Sequence, residues 1–419
     1  MSTRIKGFYK LSPEERLAEV AAFAELTEED KKVIKGEEGF TLHNADNMVE
    51  NVIGYMPVPL GVATNFKVDQ KDVFIPMATE EPSVIAAASN AARLTYNTGG
   101  FTTSFAGSIM IGQVHVINLN SPYEALARIY EHKETILEKC NEQDPTLVSF
   151  GGGAKDLEVR IVETATEKVL VIHLFVDTKD AMGANAVNTM NEALAPFIEK
   201  ITGGEVVLRI LSNLAERRVV RARAVFEDPF GGNEKLLERF ISAYELAVAD
   251  PYRAATHNKG IMNGISAAVL ATGNDTRAIE AGAHAYAVKN GKYTSLTHYE
   301  LGENNSIIGT IELPLAIGLV GGATKSHAVA RMGTKILKVE SASELSGIIA
   351  SLGLAQNFAG LRALASEGIQ KGHMKLHIKN MAVQAGAKSD QVDEIVKLAI
   401  NEEKYRFDDI KRYLEIVNN

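Results

Sequence analysis

A single cysteine, Cys140, occurs in 419 residues. One thiol cannot build a disulfide framework or a cysteine-ligated zinc site within the chain. Cys140 ends the helical pattern Ile136-Leu-Glu-Lys-Cys140, which suits a half-buried structural thiol better than a nucleophile. Basic excess is missing as well: 44 Lys and Arg against 53 Asp and Glu leave a net charge of -9 and a pI near 5.7. That argues against a broad basic face for nucleic acid and leaves anion binding to local groups. No apolar run is long enough for a bilayer; the longest, around Leu313 to Val320, falls well short of about 20 residues. Met1-Ser-Thr-Arg-Ile-Lys6 lacks the apolar segment of a signal peptide. The expectation is a cytoplasmic protein without a membrane partner. Also missing are a low-complexity linker, a fixed-period repeat and a G-x-G-x-x-G at any strand–helix junction.

What is present reads as a soluble globular chain, with 46% hydrophobic and 23% charged residues. Its length calls for two or more domains. Residues 11–35 carry a charged helical pattern and read as an N-terminal helical arm. Residues 84–94 form an alanine-rich helix, with Pro82 suited to its first turn. Between 109 and 212 the rhythm changes. Ile109 to Leu119 reads as a strand, Tyr123 to Cys140 as a helix, Leu157 to Val162 and Lys168 to Val176 as strands. Ala184 to Ile201 reads as a helix and Glu205 to Leu211 as a strand. This β-α-β-β-α-β order is the ferredoxin-like pattern. Helices are expected again at 234–249, 260–271, 276–289, 342–352 and 358–369. The fold class is therefore α+β: a mainly helical large domain (1–108 and 214–371) interrupted by a small ferredoxin-like domain (109–213). A charged helical tail (372–419) could act as a flap.

Pro251-Tyr-Arg-Ala-Ala-Thr-His-Asn-Lys-Gly-Ile-Met-Asn-Gly264 concentrates Arg253, His257, Asn258, Lys259 and Asn263 ahead of an apolar run. So many donors beside glycines suit the grip of an anion better than a surface turn. Lys259 can stabilise a developing oxyanion, and Arg253 offers a fork for a carboxylate. Asp180-Ala-Met-Gly-Ala-Asn185 follows an apolar strand and opens a helix; it reads either as an ordinary turn or as a pyrophosphate site built on free N–H groups. Glu80-Glu-Pro-Ser83 places two carboxylates before the alanine-rich helix, as dipole complements or as a general acid. Asp275 reads equally as an N-cap or as a catalytic carboxylate. His373 and His377 share a helix face, a spacing that fits an acid/base histidine better than a metal site without a third ligand.

Taken in order, Glu50-Asn-Val-Ile-Gly-Tyr-Met-Pro-Val-Pro59, Glu80-Glu-Pro-Ser83, Asp180-Ala-Met-Gly-Ala-Asn185, His257-Asn-Lys-Gly-Ile-Met-Asn263, Gly321-Gly-Ala-Thr-Lys325 and Gly372-His-Met374 resemble the motifs of the 3-hydroxy-3-methylglutaryl-coenzyme A reductase family. The likeness runs from about residue 45 to 380 and points to the soluble class II branch. It implies reduction of HMG-CoA to mevalonate and free CoA in the mevalonate pathway by two NADH or NADPH, without a metal. Its catalytic set would be Glu81, Lys259, Asp275 and His373. Lys259 would polarise the thioester and then the aldehyde carbonyl, and Glu81 would supply a proton. Asp275 would lie between them, and His373 would protonate the departing CoA thiolate. Ser83, Arg253 and Asn263 would hold the HMG portion. Asp180, Met182, Gly183 and Asn185 would lie at the nicotinamide cofactor, making the small domain the dinucleotide domain.

The same resemblance implies a homodimer with its active site at the subunit interface near Glu50–Gly54; larger assemblies stay open. Direction is not written in these residues, since the same site could oxidise mevalonate with NAD during its breakdown. A catalytically silent CoA- or dinucleotide-binding homologue is the remaining reading. The expected residue types at all four catalytic positions speak against it.

Overall fold

The computed structural model of the chain describes residues 2–288, 290–322, 327–366 and 378–418. The N-terminal arm is two helices, Pro13–Ala24 and Glu28–Lys35, where the sequence pattern suggests one. Each opens on a capping box, Ser12 with Glu15 and Thr27 with Asp30. The second box is itself a start signal and divides the arm at Glu25, which adopts a left-handed turn. The first helix and the connector close over Phe74 and Ile336 through Val20, Ala21, Ala24 and Leu26, and the second packs its half-buried Ile34 against them.

Among the described residues, ten strands follow in two sheets. β1 (Leu60–Val68), β2 (Lys71–Ala78), β3 (Phe101–Phe105), β8 (Val219–Phe226), β9 (Thr297–Leu301) and β10 (Ile307–Pro314) form the larger sheet, in the order β2-β1-β3-β8-β10-β9. The helical reading of this part of the chain leaves that six-stranded sheet out. Its strands are short and scattered among glycine-rich helices, so period-2 alternation seldom runs long enough to stand out. β4 (Ile109–Ile117), β5 (Gly153–Glu163), β6 (Lys168–Asp177) and β7 (Glu205–Ser212) form the smaller sheet, in the order β5-β6-β4-β7 and antiparallel throughout. The first and third strands are central, as the βαββαβ connectivity requires. The helix expected over 123–140 is two helices, Pro122–Glu131 and Lys133–Asn141, meeting at His132. Cys140 is fully buried against this sheet's core, deeper than the half-burial expected.

Two long helices carry the centre. Pro251–Ala271 begins nine residues earlier than the expected start at 260, because Asp250 caps it and Pro251 takes its first position. Gly260 therefore sits inside a helix. Ala342–Ala365 is one continuous helix, not two. The polar pair Gln356 and Asn357, which reads as a break, is buried; Asn357 donates to the His257 carbonyl (3.1 Å) and accepts from the Thr297 and Tyr299 hydroxyls (2.9 and 2.8 Å). By length and hydropathy this helix could cross a membrane, but 72% of its most apolar window is buried inside the protein. It is a core helix. Gly264 and Gly353 let it approach Pro251–Ala271 closely: a Cβ at Gly353 would lie 2.7 Å from Ile265.

One contiguous apolar core runs through both sheets and both central helices. The C-terminal helices, at 378–384, Ser389–Glu402 and Phe407–Asn418, enclose a separate core of Ile378, Ile395, Val396, Ile410 and Tyr413.

Candidate active site

The Pro251–Ala271 helix presents Lys259 and Asn263, four residues apart, on one face. The Lys259 ammonium donates to Glu81 Oε2 at 2.9 Å, and Asn263 Nδ2 reaches Glu81 Oε1 at 3.5 Å. Glu81 arrives from a turn after β2, where its amide donates to Thr79 Oγ1 (3.2 Å). The next helix starts at Val84, so Pro82 precedes the cap and is not in the first turn. The cap is Ser83, held at φ 73° without a side-chain capping bond. A left-handed serine is sparsely populated and needs its surroundings to hold it, as strained site residues do. Lys259 keeps 62% of its side-chain exposure and Glu81 39%, so the pair faces solvent and is open to a ligand.

The two residues before Lys259 do a different task from the one the sequence suggests. His257 and Asn258 point into the core and do not grip an anion. His257 Nε2 meets Thr297 Oγ1 at 2.7 Å, and burial, with Arg253 second, pulls its pKa down to about 3. Asn258 donates to the Thr294 carbonyl (2.9 Å) and accepts from the Leu296 amide (3.1 Å). These bonds lock the helix under Lys259 to residues 294–297. Arg253 is half-buried and lies about 120° around the helix from Lys259. Its desolvated guanidinium titrates below the usual arginine range.

Asp275 caps the Thr276–Tyr286 helix, accepting from the Arg277 and Ala278 amides (2.9 and 3.2 Å) and from the Arg277 guanidinium (3.1 and 3.2 Å). Its hydrogen bonds to Arg277, ahead of its opposing burial, hold its carboxyl below the usual carboxylate range. Among the described residues no hydrogen bond joins it to Lys259 or Glu81. The adjoining Asn274 accepts from the Gly318 amide at 2.8 Å.

The Asp180–Asn185 turn lies at the end of β6. Gly183 adopts φ 90° and caps the Ala184–Thr202 helix without a side-chain bond. A Cβ there would come within 2.2 Å of Thr178, so glycine is required. The first-turn N–H groups are thus left to a ligand or solvent, an arrangement that fits a pyrophosphate. Asp180 is tied down through its carboxylate by the Ala342 amide and through its carbonyl by the Leu319 amide, each at 2.8 Å. Met182 is half-buried against the core and Asn185 is exposed. Arg218 lies beneath this turn; the charged run Glu216-Arg-Arg218 reads as surface, and nothing in it signals burial. His373, with Gly372, Met374 and His377, lies outside the described residues, as does Lys325.

An ammonium on a rigid helix paired with a carboxylate from a neighbouring turn, open to solvent, together with an uncapped helix N-terminus, is an arrangement that fits an enzyme of carbonyl chemistry. Residues 12–378 match the family described as hydroxymethylglutaryl-coenzyme A reductase. The chain is 56% identical to the 3-hydroxy-3-methylglutaryl-coenzyme A reductase of Archaeoglobus fulgidus, over 99% of this chain and 95% of that one. It is 37% identical to a probable reductase of the same kind from Borreliella burgdorferi, over 90% and 86%. The Streptococcus pneumoniae reductase superposes with a TM-score of 0.83 at 40% identity, covering 98% and 99%. The class II S. pneumoniae enzyme bound to NADPH in open conformations superposes at 0.82 and 40% identity, over 86% and 99%. The chain belongs to the hydroxymethylglutaryl-coenzyme A reductase family and is an oxidoreductase acting on HMG-CoA.

Proposed function

We propose that this chain is a soluble, cytoplasmic class II reductase that converts HMG-CoA to mevalonate and CoA, with Glu81, Lys259, Asp275 and His373 as its catalytic set. The observation that carries the reading is the Lys259–Glu81 pair at 2.9 Å with Asn263 on the other carboxylate oxygen. An ammonium there stabilises the oxyanion that forms as a thioester or aldehyde carbonyl is reduced, and the adjoining carboxyl is placed to pass a proton to it. Ser83 and Asn263 hold the HMG portion beside the pair, and Arg253 takes its free carboxylate. Asp275 acts from the neighbouring turn. His373 protonates the thiolate that leaves.

A nicotinamide dinucleotide supplies the hydride. Asp180, Met182, Gly183 and Asn185 hold it, and the uncapped N-terminus of Ala184–Thr202 suits its pyrophosphate. NADPH in the S. pneumoniae enzyme supports a nicotinamide cofactor. Residues 109–213 form the dinucleotide unit, 1–108 and 214–371 the substrate unit, and 372–419 a flap. The separate core of the C-terminal helices favours the flap reading. Active sites lie between two copies of the chain. Exposed apolar side chains on the 48–56 segment, including Ile53 (100%) and Met56 (85%), support an interface there.

Nicotinamide oxidation by purified protein with HMG-CoA, run with NADH and with NADPH while mevalonate is quantified, tests this. Two cofactors consumed per mevalonate are expected. Faster turnover of mevalonate, CoA and NAD than of HMG-CoA would favour the degradative direction. No turnover either way in folded dimer would defeat the catalytic assignment.

A further inference from the structure

Beneath the Thr178–Gly183 turn lies a charged side chain that the chemistry above does not use. Arg218, at the entry to β8, is fully buried and is the largest such side chain among the described residues. Its Nη1 donates to Thr178 Oγ1 (2.7 Å) and to the Ala181 carbonyl (2.9 Å). Its Nη2 donates to the Lys179 carbonyl (3.5 Å) and to the Ile317 carbonyl (2.5 Å). All four acceptors are neutral, and Nε has no partner. A buried cation bonded only to hydroxyl and carbonyl oxygens adds little to stability by itself. A chain that only needed to fill this volume could do so with an apolar side chain. What the guanidinium does is gather three points of one turn and one point of the 317–320 segment onto a single rigid plane.

We propose that Arg218 is a positioning residue for the cofactor turn: its fork sets the path of residues 178–181 and thereby aims the free N–H groups of the Ala184–Thr202 helix at the dinucleotide. The inference rests on the reading of Asp180–Asn185 as the cofactor site. Two further tethers do not involve Arg218, namely the Leu319 and Ala342 amides on Asp180. Loss of Arg218 therefore leaves the turn attached but misaimed. A lysine does not substitute, since a single ammonium on a flexible stem cannot span acceptors on both sides of the plane.

Steady-state kinetics on Arg218→Lys and Arg218→Met test this, with melting temperature and circular dichroism as controls. The KM for the nicotinamide cofactor is expected to rise about tenfold or more, the size of losing one charge-assisted hydrogen bond. The KM for HMG-CoA should stay within about twofold, because its contacts lie elsewhere. An equal rise in both KM values, or an unchanged cofactor KM in folded protein, overturns the proposal. Thr178→Val, which removes the hydroxyl that accepts from Arg218 and that also donates to the Ser108 and Ala181 carbonyls (3.2 and 3.0 Å), carries the same test should Arg218→Met fail to fold. Gly183→Ala separates this inference from the reading beneath it. If Gly183→Ala raises the cofactor KM and the Arg218 variants do not, Arg218 has no positioning role. If Gly183→Ala leaves the cofactor KM unchanged, the turn is not the cofactor site and the inference falls with it.

Discussion

Lys259 owes its place to the two side chains just before it in sequence, which face the other way. His257 and Asn258 bury themselves among residues 294–297, and the helix is thereby turned so that Lys259 faces Glu81. Lys259→Ala is expected to lower kcat/KM for HMG-CoA by about a hundredfold or more, the scale of removing one oxyanion-stabilising donor. Near-normal turnover of that variant would remove Lys259 from the mechanism. Cys140 makes the opposite kind of prediction. Full burial pushes its thiol up to about 12, so thiolate is scarce at neutral pH. The native protein should react with a thiol reagent far more slowly than the unfolded chain and keep its activity meanwhile. Rapid labelling with loss of activity would contradict a purely structural thiol. At this scale Lys259 and Asn263 stood out because donors clustered beside glycines carry a chemical signal, whereas Glu81 was singled out in Glu80-Glu-Pro-Ser83 by the family resemblance. The inward turn of His257 and the burial of Arg218 were not, since a single polar letter says nothing about which way it points.

The Pro251–Ala271 helix shows what an element adds. Its start is written in Asp250-Pro251, yet the donor-rich stretch that follows reads as a loop until the helix is seen to pass straight through it. The buried His257 gives this element a pH signature. Its folded pKa, near 3, lies below the ordinary histidine value of 6.5. Between those values the unfolded chain holds a proton that the folded one does not, so stability is full above about pH 6.5 and falls as pH drops towards 3. A His257→Gln variant, which cannot take up that proton in either state, should lose stability less steeply over this window. The difference in slope is bounded by one proton, about 1.4 kcal/mol per pH unit. Urea unfolding at a series of pH values reads it directly, and parallel slopes for the two proteins would show that His257 does not titrate on unfolding. The Ala342–Ala365 helix makes a related point. Its apolar face runs all round, and only the surrounding sheet and helices distinguish a core helix from a membrane span.

For the whole molecule, the open question is what covers the exposed apolar side chains at 48–56. If two copies share the site, Ile53→Asp should dissociate them and lower turnover together, because a charge in an apolar interface is costly. Size-exclusion chromatography with a parallel assay checks this. A monomer with full activity would place the site within one chain. The six-stranded sheet also belongs to this scale. Its neighbours β3 and β8 are more than 110 residues apart in sequence, and β4 to β7 lie between them. Pairing of that kind leaves no local trace, whereas the βαββαβ unit is built from consecutive segments and could be followed strand by strand.

Residue type and spacing carried the family motifs, the missing Rossmann fingerprint and the smaller sheet's connectivity. Both are written in full along the chain. The tertiary structure alone decided which polar residues face the site and which face the core. It brought Glu81 to Lys259 across 178 residues, joined the larger sheet, and placed Arg218 beneath the cofactor turn. Those outcomes depend on burial and on contacts between distant segments, and burial is a property of the packed chain and not of any one stretch of it.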